Sequence, residues 1–169
     1  QSPSSAASDV YKRQAIFPGT FDPFTKGHQD ILKRSITIFD EVVIGIGLNG
    51  NKKTMFNVNE RIEQIKSVIH GNKKVSVKSY KGLTINFCND ESANFIVRGV
   101  RNTGDFEFEK AIARTNRMLS KIETIFLLTS AKTSFISSSI VRELILNNGD
   151  YKNLVPKTIY EILLKNHSK

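Results

Sequence analysis

The residues Gly19-Thr20-Phe21-Asp22-Pro23-Phe24-Thr25-Lys26-Gly27-His28 have types and spacing suited to holding a phosphate. They follow a short apolar run, Ala15-Ile16-Phe17, which reads as a buried strand ending at the Pro18-Gly19 turn. Gly19 allows close backbone approach. A helix opening at Gly27 presents free N–H groups and the positive end of its dipole to an anion. His28 falls in the first turn of that helix, where it can donate a hydrogen bond to a phosphate oxygen. The plainer alternative is that His28 only caps the helix. The Walker A pattern is absent, and so is the Gly-x-Gly-x-x-Gly fingerprint after the first strand. Gly45, Gly47 and Gly50 have the wrong spacing for it and read as packing and turn residues.

Other candidates lie after later apolar runs. Lys52 and Lys53 are in the loop beyond Val42–Leu48, and Arg98 and Arg101 lie at and beyond the end of Asn94–Arg98. Ser130 follows Glu123–Leu128, and Ser137-Ser138-Ser139 opens a later helix. Each has a structural alternative. Arg98 and Arg101 could be ion-pair partners of Asp105 or Glu109, and the serine run could be a helix cap. Asp105 and Glu107 read as helix-start residues. Cys88, between Phe87 and Asn89, reads as packed rather than reactive.

The elements that must position these groups alternate along the chain. Strands are expected at Ala15–Phe17, Glu41–Leu48, Lys74–Ser79, Asn94–Arg98 and Glu123–Leu128. Helices are expected at Gly27–Phe39, from Val58 to Ile69, and at Leu83–Cys88, Asp105–Leu119 and Ser137–Leu146, with a last one after Pro156. Asn57 and Glu60 have capping-box spacing. This order predicts an α/β fold, a Rossmann-like, doubly wound, five-stranded parallel sheet with helices on both faces. In such sheets ligands bind beyond the carboxyl ends of the strands, at the switch point. The polar residues Thr20, Lys52, Arg98, Arg101 and Ser130 then fall on one edge.

At 169 residues, one core is expected, with 12–169 as a single domain. Residues 1–11, rich in Ser and Ala, read as an expression scar or disordered tail, with no apolar segment of a secretory signal. No apolar run is long enough for a membrane span. A single cysteine excludes an internal disulfide and fits a reducing, cytoplasmic setting. The net charge of +9 attracts polyanions. The charge is spread without a Lys/Arg block, and no nucleic-acid-binding signature accompanies it, so neither nucleic acid nor membrane is an expected partner.

Two separated motifs carry a family resemblance. Gly19-Thr20-Phe21-Asp22-Pro23 with Gly27-His28, and Ile136-Ser137-Ser138-Ser139-Ile140-Val141-Arg142, resemble the two signatures of the adenylyl- and cytidylyltransferases. Lys52-Lys53, Gly82-Leu83-Thr84-Ile85-Asn86-Phe87, Arg98-Gly99-Val100-Arg101, Asp105–Glu109 and Asn116-Arg117 narrow it to the bacterial phosphopantetheine adenylyltransferase family. The sequence departs from the family pattern at Phe17, Gly82 and Thr133.

The resemblance implies transfer of the adenylyl group of ATP to 4′-phosphopantetheine, giving dephospho-coenzyme A and pyrophosphate. It implies His28, Lys52 and Arg101 as catalytic donors. It puts Thr20, Phe21, His28, Gly99, Val100, Arg101 and Glu109 at ATP, with Thr133, Ser134, Phe135, Ile136, Ser137, Ser138 and Ser139 under the nucleotide. Thr20, Lys52, Thr84 and Arg98 would hold the acceptor. It further implies a homo-oligomer, commonly a hexamer, with coenzyme A as feedback inhibitor. Mg²⁺ is expected to arrive with ATP, because no residue cluster has metal-site spacing. A relative acting on nicotinamide mononucleotide or on glycerol 3-phosphate is the alternative enzyme.

Overall fold

The computed structural model describes residues 12–167; the tail expected at residues 1–11 lies outside them. The chain runs β1 (Gln14–Gly19), α1 (Lys26–Ile38), β2 (Glu41–Leu48), α2 (Val58–Ile69), β3 (Val75–Lys81) and α3 (Thr84–Asp90). It continues through β4 (Phe95–Val100), α4 (Thr103–Ser120), β5 (Glu123–Leu128), α5 (Ser138–Leu146) and α6 (Lys157–His167). The five strands form one parallel sheet in the order β3-β2-β1-β4-β5. The expected fold class and element order are therefore present. No helix among the described residues is long and apolar enough to cross a membrane.

Side-chain alternation along the strands divides the core into two layers. Ala15 and Phe17 of β1, with Val42 and Ile44 of β2, pack with Ile31 of α1, Ile65 of α2, Val141 of α5 and Ile159 of α6. The intervening Ile16 and Val43 face the other way, onto Ile85, Phe87 and Cys88 of α3. Burial on both faces explains why β2 is nearly continuous in apolar residues. Cys88 is packed in this second layer, and burial pushes its thiol up to about 11. Asn57 and Glu60 form the expected reciprocal cap at the start of α2.

Several element ends differ from the sequence expectation. Strand β1 continues through Pro18 to Gly19, and β4 through Gly99 to Val100. Proline is disfavoured within a central strand because it lacks a ladder donor. Here β1 pairs with β4 only at Ala15↔Phe95 and Ile16↔Ile96, whereas its pairing with β2 runs on to Gly19↔Ile46. Pro18 lies past the point where β1 and β4 part, and its carbonyl accepts from Arg98 Nη1 at 2.7 Å. Helix α4 begins two residues earlier than expected, because the Asn102 side chain accepts from Asp105 N–H at 2.9 Å. Ser137 is the N-cap of α5 and not its first residue.

The parting of β1 and β4 opens a crevice at the carboxyl ends of the strands. It is also the switch point, since the chain winds outward in opposite directions on its two sides.

Candidate active site

The crevice has two lobes. One, of about 380 Å³, is walled by residues including Lys52, Thr84, Asn116 and Ile112. The other, of about 430 Å³, is walled by residues including His28, Arg101, Thr133 and Ser137. Pro18, Gly19, Thr20, Arg98 and Glu109 line both. A third recess, of about 520 Å³, lies on the Lys52 side and shares Thr20 and Lys52. Thr20 is thus common to all three spaces.

The Thr20–Thr25 loop is held from several directions. The Asp22 carboxylate, 3% exposed, accepts from the N–H groups of Met55 and Phe56 at 2.9 Å each. Buried Arg61 donates from Nη1 to the Thr20 carbonyl at 2.8 Å and from Nε to that of Phe56 at 3.1 Å. From α5, Arg142 Nη1 donates to the Asp22 carbonyl at 2.7 Å, and Ser138 Oγ to the Pro23 carbonyl at 2.8 Å. Phe21 adopts φ 50°, a region that a bulky L-residue rarely visits. Its ring packs edge-on against Phe17 at 5.3 Å and His28 at 5.0 Å, which holds the conformation. The same ring stands 2.9 Å from where a Cβ on Gly19 would be, so the close approach at Gly19 is made by Phe21.

His28 combines the two readings of the sequence. It is the third residue of α1, and its Nδ1 accepts from the Thr25 N–H at 2.9 Å while Thr25 caps the His28 N–H. The ring sits beside Phe17, Phe21 and Phe24. Burial in this apolar seat, and then the charges of Arg98 and Arg101, push its pKa down to about 4. The imidazole is therefore neutral near pH 7. With Nδ1 accepting, the ring proton resides on Nε2, which makes Nε2–H a donor with no competing role in the cap.

Both arginines are held by carboxylates. Arg98 makes a two-point pair with Glu109 through Nε at 2.9 Å and through Nη2. Such forks fix the guanidinium plane. Arg101 pairs with Asp105, Nε to Oδ2 at 2.9 Å. This bond raises the Arg101 pKa and lowers that of Asp105. The ion-pair reading of these arginines and a role at the crevice thus coexist, since both line it.

On the nucleotide side of the expectations, Thr20, Phe21, His28, Gly99, Arg101 and Glu109 line one lobe. Thr133, Ile136, Ser137 and Ser138 line it as well. Val100 is buried in the sheet, and Ser134 Oγ turns back to the Ala131 carbonyl. Phe135 is exposed, and Ser139 Oγ accepts from Arg142; none of these four is in the lining. Ser130 pairs with Thr133 in a tight turn. On the acceptor side, Thr20, Lys52, Thr84 and Arg98 all line the other lobe, while Lys53 does not. His28 and Arg101 therefore lie in one lobe and Lys52 in the other. Asp22, Arg61 and Arg142 received no role from the sequence. Arg61 did carry a signal: it falls on the same helical stripe as Val58, Ile62 and Ile65, an unusual position for a charge.

Comparison with known proteins places the chain in a family. A family model described as cytidylyltransferase-like matches residues 16–144. The chain is 62% identical over 147 residues to the phosphopantetheine adenylyltransferase of Flavobacterium psychrophilum, covering 87% of this chain and 97% of that one. It is 58% identical to that of Flavobacterium johnsoniae with the same coverage, and 50% identical over 145 residues to that of Bacteroides fragilis, covering 86% and 97%. Among solved structures, a Vibrio parahaemolyticus protein provisionally assigned as a nicotinate-nucleotide adenylyltransferase superposes with a TM-score of 0.70 at 20% identity. That alignment covers 92% of this chain and 93% of the other, and it supports the fold alone. By identity and by coverage, this chain belongs to the phosphopantetheine adenylyltransferase family of nucleotidyltransferases.

Proposed function

We propose that this protein transfers the adenylyl group of ATP to 4′-phosphopantetheine, giving dephospho-coenzyme A and pyrophosphate. The observation that carries the reading is the pair of lobes meeting at one wall, with Thr20 and Arg98 common to both. Two phosphate-bearing substrates seated on either side would bring their phosphates together there. An acceptor phosphate oxygen attacks the α-phosphorus of ATP, the bond from that phosphorus to the bridging oxygen breaks, and pyrophosphate departs. The nucleophile is already ionised at neutral pH, so no general base is needed.

The protein's work is then to position the substrates and stabilise charge spread over the α-phosphate. In this reading His28 Nε2–H and the Arg101 guanidinium act from the nucleotide side, and Lys52 from the acceptor side. Neutral His28 is a hydrogen-bond donor, with no proton to transfer. Arg98, Thr84 and Lys52 hold the acceptor, and the capped start of α5 lies under the nucleotide.

The two carboxylates in the nucleotide lobe, Asp105 and Glu109, are each tied to an arginine. Among the described residues no group of three or more His, Cys, Asp or Glu is placed to hold a metal ion. This donor set fits a Mg²⁺ that arrives on the ATP phosphates with mainly water ligands. Such an ion offsets phosphate charge when bound.

A homo-oligomer is part of the proposal. Helix α4 has no buried residue, and its far end exposes Met118 at 78% and Leu119 at 60%. Exposed apolar side chains at the end of this helix suit a contact between copies. Coenzyme A, which carries the acceptor's arm, is expected to compete at the acceptor lobe. The decisive experiment is incubation with ATP, Mg²⁺ and 4′-phosphopantetheine while following pyrophosphate, with nicotinamide mononucleotide and glycerol 3-phosphate as competing acceptors. Absence of turnover with 4′-phosphopantetheine refutes the reading.

A further inference from the structure

The acceptor lobe contains a polar contact that the roles described above leave unused. Tyr80, near the end of β3, and Thr84, the first residue of α3, place their hydroxyls 2.8 Å apart, and both residues line the lobe. The Tyr80 ring lies flat on Phe87, with centroids 4.4 Å apart and planes 3° from parallel. That stack rests on β2 where the strand has glycines. A Cβ at Gly45 would come within 2.8 Å of the Phe87 ring and 3.1 Å of the Tyr80 ring. A Cβ at Gly47 would come within 3.3 Å of the Tyr80 hydroxyl. Strand, stack and hydroxyl are thus fitted together, and the phenol has little freedom to turn elsewhere.

A pair of hydroxyls carries two protons and uses one of them between its own oxygens. The other is left over in a lobe that also carries the donors Lys52 and Arg98, and whose one lining carboxylate, Glu109, is already held by Arg98. A donor at that position calls for an oxygen on the ligand. We propose that Tyr80 is a positioning residue for acceptor recognition: held by the Phe87 stack over Gly45 and Gly47, it orients Thr84 so that the spare hydroxyl proton donates to an oxygen of the bound acceptor. This rests on the reading of the lobe as the site of 4′-phosphopantetheine. The structural alternative is that the bond merely ties down the start of α3, whose N-cap residue Leu83 makes no side-chain cap bond.

Tyr80→Phe separates the two, because it keeps the stacked ring and removes only the hydroxyl. The expected result is a rise of about three- to tenfold in KM for 4′-phosphopantetheine, the usual worth of one neutral hydrogen bond. KM for ATP and kcat should stay at wild-type values. Thr84→Val should raise the same constant, while Thr84→Ser, which restores the hydroxyl, should return it toward wild type. An unchanged acceptor KM in Tyr80→Phe overturns the proposal, and so does a parallel rise in both KM values, which marks general loosening. Calorimetric titration of wild type and Tyr80→Phe with 4′-phosphopantetheine alone provides a second readout. If wild type binds it but makes no pyrophosphate, adenylyl transfer falls. The role of Tyr80 still stands or falls on whether the variant binds more weakly.

Discussion

His28 is a member of its helix cap and, in the proposed reaction, a donor to the transition state. Its two nitrogens divide the tasks. Nδ1 accepts from Thr25 and fixes the ring, leaving the proton on Nε2. His28→Ala is expected to lower kcat about a hundred- to a thousandfold, the usual effect of losing one preorganised donor, with little change in either KM. His28→Gln should recover stability relative to alanine, because its carbonyl can complete the capping box; it should not recover the rate. Steady-state kinetics beside urea unfolding reads both effects. The pH dependence has a definite sign. The folded pKa of about 4 lies below the ordinary 6.5. Between those values the unfolded chain takes up the proton and the folded chain does not, so stability rises with pH across that window. The contribution of the neutral ring is complete above pH 6.5 and is lost as the pH falls toward 4. Imidazole ¹⁵N NMR should show the Nε2–H form at pH 7 and titration near 4; titration close to 6.5 would contradict the apolar seat.

Between elements, the phosphate loop depends on contacts to α2 and α5 that its own residues cannot supply. Asp22→Ala strands the buried N–H of Phe56 and the half-buried N–H of Met55. Each unsatisfied buried group costs on the order of 1–3 kcal/mol. The variant should therefore lose roughly that much or more in denaturant unfolding, and turnover should fall because Thr20 loses its frame. Gly45→Ala probes the other side. Its new methyl must displace the Phe87 and Tyr80 rings, a form of overpacking that costs about 1–3 kcal/mol. It is also expected to raise acceptor KM more than ATP KM, since the stack borders only the acceptor lobe. Some of this scale was legible beforehand. The Asn57–Glu60 cap and the apolar stripe of α2 follow from local spacing. The buried role of Arg61 does not, because its partner Thr20 is 41 residues away.

For the molecule as a whole, α4 packs on β4 and β5 without burying any residue fully and leaves apolar side chains exposed at its far end. If copies associate through it, Met118→Glu with Leu119→Glu should lower the mass seen by sedimentation equilibrium. Both residues lie outside the lobe linings, so the chemistry at the crevice is not directly touched. An unchanged mass would remove α4 from the interface. The alternation of strands and helices and the parallel sheet were readable from the sequence. They rest on local periodicity, capping and short-range spacing, which a linear chain displays directly. The ion pairing of Arg98 and Arg101 was readable as an alternative, because their partners Glu109 and Asp105 lie only 11 and 4 residues on. Tertiary structure alone decided that β1 and β4 part after Ile16 and Ile96, with Arg98 reaching Pro18 across 80 residues of sequence. That parting divides the crevice into two lobes, with Lys52 on one side and His28 with Arg101 on the other. The protonation state of His28 was likewise set in three dimensions. Phe17 and Phe21 and the distant charges of Arg98 and Arg101 surround the ring only after folding, and desolvation and Coulomb interaction depend on distance in space, not on separation along the chain.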